Sequence, residues 1–132
     1  MIYCLDTNII SYLLNGDKSV LKHIDALAEN DDDIFIPSVA YYEIKRGLLA
    51  SGATAKMKKF LAFAECMGIA ELKTSTLDIA AQIYADLSNA GKLIEDDDIF
   101  IAATALENDA VLITNNERHL GRIKNLKIIV WN

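Results

Sequence analysis

Four separated stretches of this 132-residue chain carry polar side chains able to do chemistry: Asp6, Glu43, the run Asp96-Asp97-Asp98, and Asn116. Each alone has an ordinary explanation. Glu43 could form a surface ion pair, and aspartates ahead of an apolar run could cap a helix and complement its dipole. Taken together they offer several carboxylates and an amide with nothing basic between them. Carboxylates a few ångströms apart repel and raise each other's pKa unless a cation sits among them. An oxygen-only ligand set suits Mg²⁺ or Mn²⁺ rather than Zn²⁺. His23 and His119 are too few and too distant in sequence to suggest a zinc site, and read as surface or packing residues.

For these groups to meet, the elements around them must bring them to one edge. Ile2–Leu5 is a short apolar run ending in Asp6-Thr7-Asn8, which reads as a buried strand turning into a helix. Asp6 then lies at the strand's carboxyl end, the edge of an open α/β sheet where ligands bind. Ile34–Ile36 is a second strand, stopped by Pro37, with Ser38 as N-cap of the next helix. On that helix Ala40, Ile44, Gly47 and Leu48 share an arc, and Glu43 projects at its border. A carboxylate there needs a partner or a metal. Ile99–Leu106 is apolar on nearly every side and reads as a buried helix behind the acidic run. Ala110–Thr114 is strand four, and Asn116 follows its end.

The remaining segments complete the alternation. Asn8–Leu14 has helical spacing and stops at Asn15-Gly16. Asp17 or Ser19 caps a second helix presenting Val20, Ile24, Leu27 and Ala28, and Asn30–Asp33 is a loop. Ala53–Met67 is a helix with Met57, Phe60, Leu61 and Ala64 inward, followed by a weak strand over Met67–Leu72. Ser75 or Thr76 caps a helix over Leu77–Ala90, ended by Gly91. A short helix passes through His119 and Leu120, and Lys127–Trp131 is the last strand. Strands alternating with helices predict one α/β domain over residues 1–132, a parallel sheet with helices on both faces.

The net charge of −6 argues against bulk electrostatic binding to nucleic acid. It suits a soluble enzyme that concentrates carboxylates around a metal, or one with a basic partner segment. Lys45 and Arg46 after Glu43, and Arg118 and Arg122 after Asn116, are the candidates for a basic rim. The apolar runs are too short for a transmembrane helix, and the N-terminus lacks signal-peptide features. Cys4 and Cys66 imply no disulfide framework and read as reduced core residues, so a cytoplasmic location is expected.

The motifs in order are Asp6-Thr7-Asn8, Ser38-Val39-Ala40-Tyr41-Tyr42-Glu43, Ile94-Glu95-Asp96-Asp97-Asp98-Ile99, and Thr114-Asn115-Asn116 before Arg118-His119-Leu120. With them the chain resembles, over its whole length, the PIN-domain family, and within it the VapC toxins of toxin–antitoxin systems. The resemblance implies a five-stranded parallel sheet in an α/β/α sandwich and Mg²⁺-dependent endoribonuclease activity. It implies tRNA or rRNA as substrate, a cognate VapB-like antitoxin and a homodimer. It makes Asp6, Glu43 and Asp98 the acidic triad and Asp96 an auxiliary acid. The family's fourth acid, usually Asp, falls on Asn116, a departure that weakens the case for a second metal. In the mechanism that physics and resemblance share, Asp6 and Asp98 hold the ion, directly or through water. Glu43 positions the attacking water or accepts its proton. Thr7 or Asn116 hydrogen-bonds the water or the ion's hydration shell.

Two other readings stay open. One is a Mg²⁺-dependent phosphoryl-transfer enzyme with Asp6 as nucleophile, although position 8 is Asn where that class has a second Asp. The other is a catalytically impaired PIN-like module that binds RNA or a partner, which Asn116 keeps in play. Leu13, Leu14, Phe60 and Phe63 offer more apolar surface than one sheet face needs, in line with a dimer. An acidic pocket of Asp6, Glu43, Asp96 and Asp98 is also a fit site for a guanidinium from an antitoxin tail that competes with Mg²⁺.

Overall fold

Strand β1 (Ile2–Leu5) lies at the centre of a five-stranded sheet in the order β3-β2-β1-β4-β5, every neighbour parallel. The structure, a computed structural model, describes residues 1–131. After β1 come α1 (Thr7–Leu14), α2 (Lys18–Glu29), β2 (Asp33–Pro37), α3 (Ser38–Ser51), α4 (Thr54–Met67) and β3 (Ile69–Ala70). Then follow α5 (Thr74–Asn89), α6 (Asp96–Glu107), β4 (Val111–Thr114), α7 (Glu117–Leu120) and β5 (Ile128–Val130). Tyr3 pairs with Ile34 on one side and Val111 on the other, and Cys4 with Phe35 and Leu112. Side chains alternate along a strand, yet Cys4, Leu5, Leu112 and Ile113 are all fully buried. That is the signature of a sheet covered on both faces. Helices α1, α3 and α4 pack on one another, and α5 packs on α6. The chain runs outward from β1 to β2 and β3, then returns to β4 on β1's other side. The carboxyl ends of β1 and β4 therefore flank the point where strand order reverses, the position at which such sheets bind ligands. Among the described residues, no helix is long and apolar enough to cross a membrane.

Several local expectations change. Asp6 itself caps α1, which begins at Thr7 rather than Asn8. Asp17 caps α2 by accepting from the Val20 N–H at 3.0 Å. Pro37, not Ser38, is the N-cap of α3, because its fixed φ of −63° suits the extended residue before a helix. Helix α5 starts at Thr74, a turn earlier than expected, with Lys73 at the N-cap. Thr76 sits inside the first turn and accepts the Lys73 N–H at 3.0 Å. The acidic run does not cap α6 either. Glu95 holds that position without a side-chain bond, and Asp96, Asp97 and Asp98 form the first turn. Leu61 is 41% exposed rather than inward, and Cys66 is exposed rather than core. The third strand shrinks to Ile69–Ala70 and the last to Ile128–Val130.

The apolar surplus read from the sequence is largely consumed inside one chain. Phe60 is fully buried, Leu14 is buried, and Leu13 and Phe63 pack against the core. Those residues are therefore no argument for a dimer. Helix α6 meets expectation: Ile99, Ile101, Ala102, Ala103, Thr104 and Ala105 are all buried.

Candidate active site

Asp6 is the buried anchor of the site, 4% exposed at the end of β1. Its N–H continues the ladder to the Ile113 carbonyl at 2.9 Å. Its Oδ1 accepts the Thr7 N–H and its Oδ2 accepts the Thr114 hydroxyl, both at 2.7 Å. The Asn116 N–H donates in turn to Thr114 Oγ1 at 2.8 Å. One carboxylate thus ties the ends of β1 and β4 together through neutral donors. Burial pushes the Asp6 carboxyl up, and the bonds from Thr114 and Thr7 pull against that push.

Thr7 joins α1 to α3: its hydroxyl donates to Glu43 Oε1 at 2.8 Å. Glu43 is pushed up to about 7, first by burial and then by the hydrogen-bonded, like-charged Asp97. The Thr7 bond and the nearby Arg46 work in the opposite direction. Arg46 Nη2 lies 4.0 Å from Glu43 Oε2. The border position of Glu43 on its helix is what lets it look toward α1 and α6 instead of solvent.

Asp98 comes from the first turn of α6. Burial raises its pKa first, then the charge of Asp6, with Asp97 and Glu95 adding to it and His119 opposing. His119 Nδ1 stands 3.9 Å from Asp98 Oδ2. It is also 3.4 Å from the amide nitrogen of Asn116. Asn116 therefore reaches the same edge, with its amide turned to the imidazole.

The structure thus brings Asp6, Glu43, Asp98 and Asn116 into one neighbourhood. Asp96 faces differently: it lines a hollow between α5 and α6 with Leu77, Tyr84 and Phe100, and borders an open concavity with Asp97 and His119. Asp97 is the acid that acts on both Glu43 and Asp98, and sequence reasoning did not single it out. His119, read as a surface or packing residue, lies at the site. A usable signal existed, since it follows Asn116 by one helical turn. Of the basic residues, Arg46 sits beside Glu43, whereas Lys45 Nζ donates to the Tyr41 hydroxyl at 3.2 Å. Arg122 donates to the Lys92 and Leu93 carbonyls at 3.3 and 3.4 Å, and Arg118 is exposed on α7.

The donor set fits a hard divalent cation. All donors are oxygens, and Asp6, Glu43 and Asp98 each have their charged form disfavoured by burial. Asp6 and Asp98 also repel one another. Asn8, two residues past Asp6, buries an Oδ1 that has no donor among the described residues. Also among the described residues, no three acidic, His or Cys side chains are already drawn together tightly enough to chelate.

The PIN domain family model matches residues 3–126. Ribonuclease VapC2 of Rickettsia felis is 30% identical over 134 residues, covering 100% of this chain and 99% of that protein. Ribonuclease VapC1 of Haemophilus influenzae is 31% identical over 142 residues, covering 99% and 98%. Among solved structures, VapBC2 from Rickettsia felis bound to a promoter DNA fragment superposes with a TM-score of 0.93 at 28% identity, covering both chains fully. VapBC-1 from nontypeable Haemophilus influenzae gives 0.87 at 28% identity, covering 99% of this chain and 98% of that one.

Proposed function

The chain belongs to the PIN-domain family, and on that premise we propose that it is a metal-dependent endoribonuclease, the toxin of a VapBC-type toxin–antitoxin pair. Its relatives bear the name ribonuclease, and its structural neighbours are VapBC assemblies, which supports both an RNA substrate and an antitoxin partner. The observation that carries the reading is the convergence of Asp6, Glu43 and Asp98 from three elements on the strand-order switch point, each with its pKa raised.

Asp6 and Asp98 would hold Mg²⁺ or Mn²⁺, and Glu43 would reach the ion through a bound water. A divalent ion bound there supplies positive charge for a phosphate oxygen and for the charge that develops in the transition state. The protein's own groups do the rest. Asp6 is immobilised by Thr7 and Thr114, so its oxygens keep a fixed position at the sheet edge. Glu43, held by the Thr7 hydroxyl, has its carboxyl pushed up to about 7 in the metal-free protein, and it would accept a proton from the attacking water. The water oxygen bonds to phosphorus as the bond from phosphorus to O3′ breaks, and the departing O3′ takes a proton from solvent. The products carry 5′-phosphate and 3′-hydroxyl ends. His119 orients Asp98 and the Asn116 amide. The RNA is a tRNA or rRNA, the location is cytoplasmic, and the working unit is a homodimer.

The test is cleavage of an RNA panel by purified protein in Mg²⁺ or Mn²⁺, against a chelator and against Asp98→Asn. Cleavage that needs the ion and Asp98, leaving 5′-phosphate ends, is the expected result. Cleavage that persists in chelator or in the variant would sink the reading. A wild type that binds RNA but cuts none would favour the impaired module.

A further inference from the structure

We propose that Tyr42, with Arg46 lying over its ring, is a platform on which an unpaired RNA base stacks beside the scissile phosphate. The inference rests on the ribonuclease reading above and adds a residue that positions the substrate.

Helix α3 carries two tyrosine–cation pairs, Tyr41–Lys45 and Tyr42–Arg46, each spanning one turn. The fold uses the first. Tyr41 packs against the buried Phe60 with ring centroids 5.4 Å apart, and Lys45 covers its outer side. The second has no such use, because Tyr42 is 60% exposed. An exposed aromatic ring by itself means little. Its place does the arguing. At about 100° per residue, position 46 falls between positions 42 and 43 around the helix. The distances agree: the Arg46 guanidinium lies 5.1 Å from the Tyr42 ring centre and 4.0 Å from the Glu43 carboxylate. The ring therefore stands one guanidinium away from the group that takes the proton.

The charge of the molecule decides what such a ring is good for. With a net charge of −6, the molecule as a whole repels phosphate, so contacts that do not depend on charge carry more weight. Stacking is indifferent to net charge and tolerates any base, and a neighbouring Arg adds a cation–π contribution. Unpaired bases in loops can turn onto such a surface, and bases locked in an A-form duplex cannot. Arg46 holds the ring and faces the acids, so a base on Tyr42 places its own phosphate toward Glu43.

The probe is an RNA hairpin with 2-aminopurine in its loop, compared with a fully paired duplex of the same sequence. Steady-state cleavage is measured for wild type, Tyr42→Ala and Tyr42→Phe. Fluorescence is read on the Asp98→Asn protein with and without the Tyr42→Ala change. The platform predicts a KM raised about tenfold in Tyr42→Ala with kcat within about twofold. It also predicts recovery in Tyr42→Phe, quenching that needs Tyr42, and poor cleavage of the duplex. An unchanged KM, absent quenching, or equal cutting of the duplex overturns it. Tyr42→Ala that instead weakens antitoxin binding or self-association, with KM for RNA unchanged, assigns the ring to a protein contact and also overturns it. Quenching through Tyr42 in a protein that cuts no RNA keeps the platform and overturns the nuclease reading.

Discussion

Replacing Glu43 with Gln should make the metal-free protein more stable at pH 8 while leaving it almost unchanged at pH 5. Raising a carboxyl from 4.5 to about 7 disfavours the ionised form by about 3 kcal/mol. Solvent reaches this partly exposed group, and screening brings the effect to about 1–2 kcal/mol. The sign follows from proton counting. Between pH 4.5 and 7 the folded protein holds a proton on Glu43 that the unfolded chain has released. Stability from this group is therefore full below the unfolded pKa and is lost as pH rises through the folded one. Asp6 and Asp98 are raised as well and act with the same sign. The Glu43→Gln variant keeps an oxygen for the Thr7 hydroxyl, so its bond at position 43 survives. The assay is urea or thermal unfolding across pH 5 to 8 in chelator. The difference between the two proteins should open with pH to about 1–2 kcal/mol, roughly 3–8 °C in Tm for a domain this size. Added Mg²⁺ should close the gap from the wild-type side, since an ion that binds only the folded form stabilises it. A wild type that gains on the Glu43→Gln variant as pH rises in chelator, or two parallel curves, would refute the assignment of charge strain to this group.

Asp6→Asn and Asp98→Asn should each abolish cleavage and remove the heat of Mg²⁺ binding in calorimetry, without loss of folding; wild-type rates in either place the site wrongly. Thr7→Val removes a bond that lowers the Glu43 pKa, so the acidic limb of the kcat/KM profile should shift to higher pH, with about 1 kcal/mol of stability lost. An unshifted limb would show that Glu43 is not the base. Light scattering at micromolar concentration should give the mass of a dimer, and a monomer mass would count against the shared working unit.

How far the site was legible depends on which physical level fixed each part. Strands β1 and β4 are short apolar runs ended by polar residues, a local signal that survives folding, and so Asp6 and Asn116 could be put at one edge. Glu43 was legible because helical periodicity set it at the border of a buried face. The choice among Asp96, Asp97 and Asp98 was not legible from periodicity, and only the family resemblance singled out Asp98. Successive helical residues point about 100° apart. Which of the three meets α3 depends on the rotation of α6, and buried Ile99, Ile101 and Ala102 set that rotation through tertiary packing. The same holds for His119, far from Asp98 in sequence and 3.9 Å from it in space. Caps failed in a different way. Pro37 and Ser38 are both acceptable neighbours of a helix start, and the backbone angle of Pro37 decided between them.

The manner in which the acids are held bears on why such a fold needs an ion. Asp6 is gripped by two hydroxyl- or amide-type donors and Glu43 by a hydroxyl, so their positions are fixed without their charge being neutralised. The guanidinium beside Glu43, that of Arg46, is 4.0 Å away and shared with the ring of Tyr42. A close bidentate salt bridge there would have lowered the Glu43 pKa and satisfied its charge. It would also have left little reason for a divalent cation to enter. Neutral donors keep the geometry and preserve the demand for positive charge. The surplus negative charge that destabilises the metal-free protein at neutral pH is then the same quantity that draws the ion in, and Glu43→Gln should diminish both together.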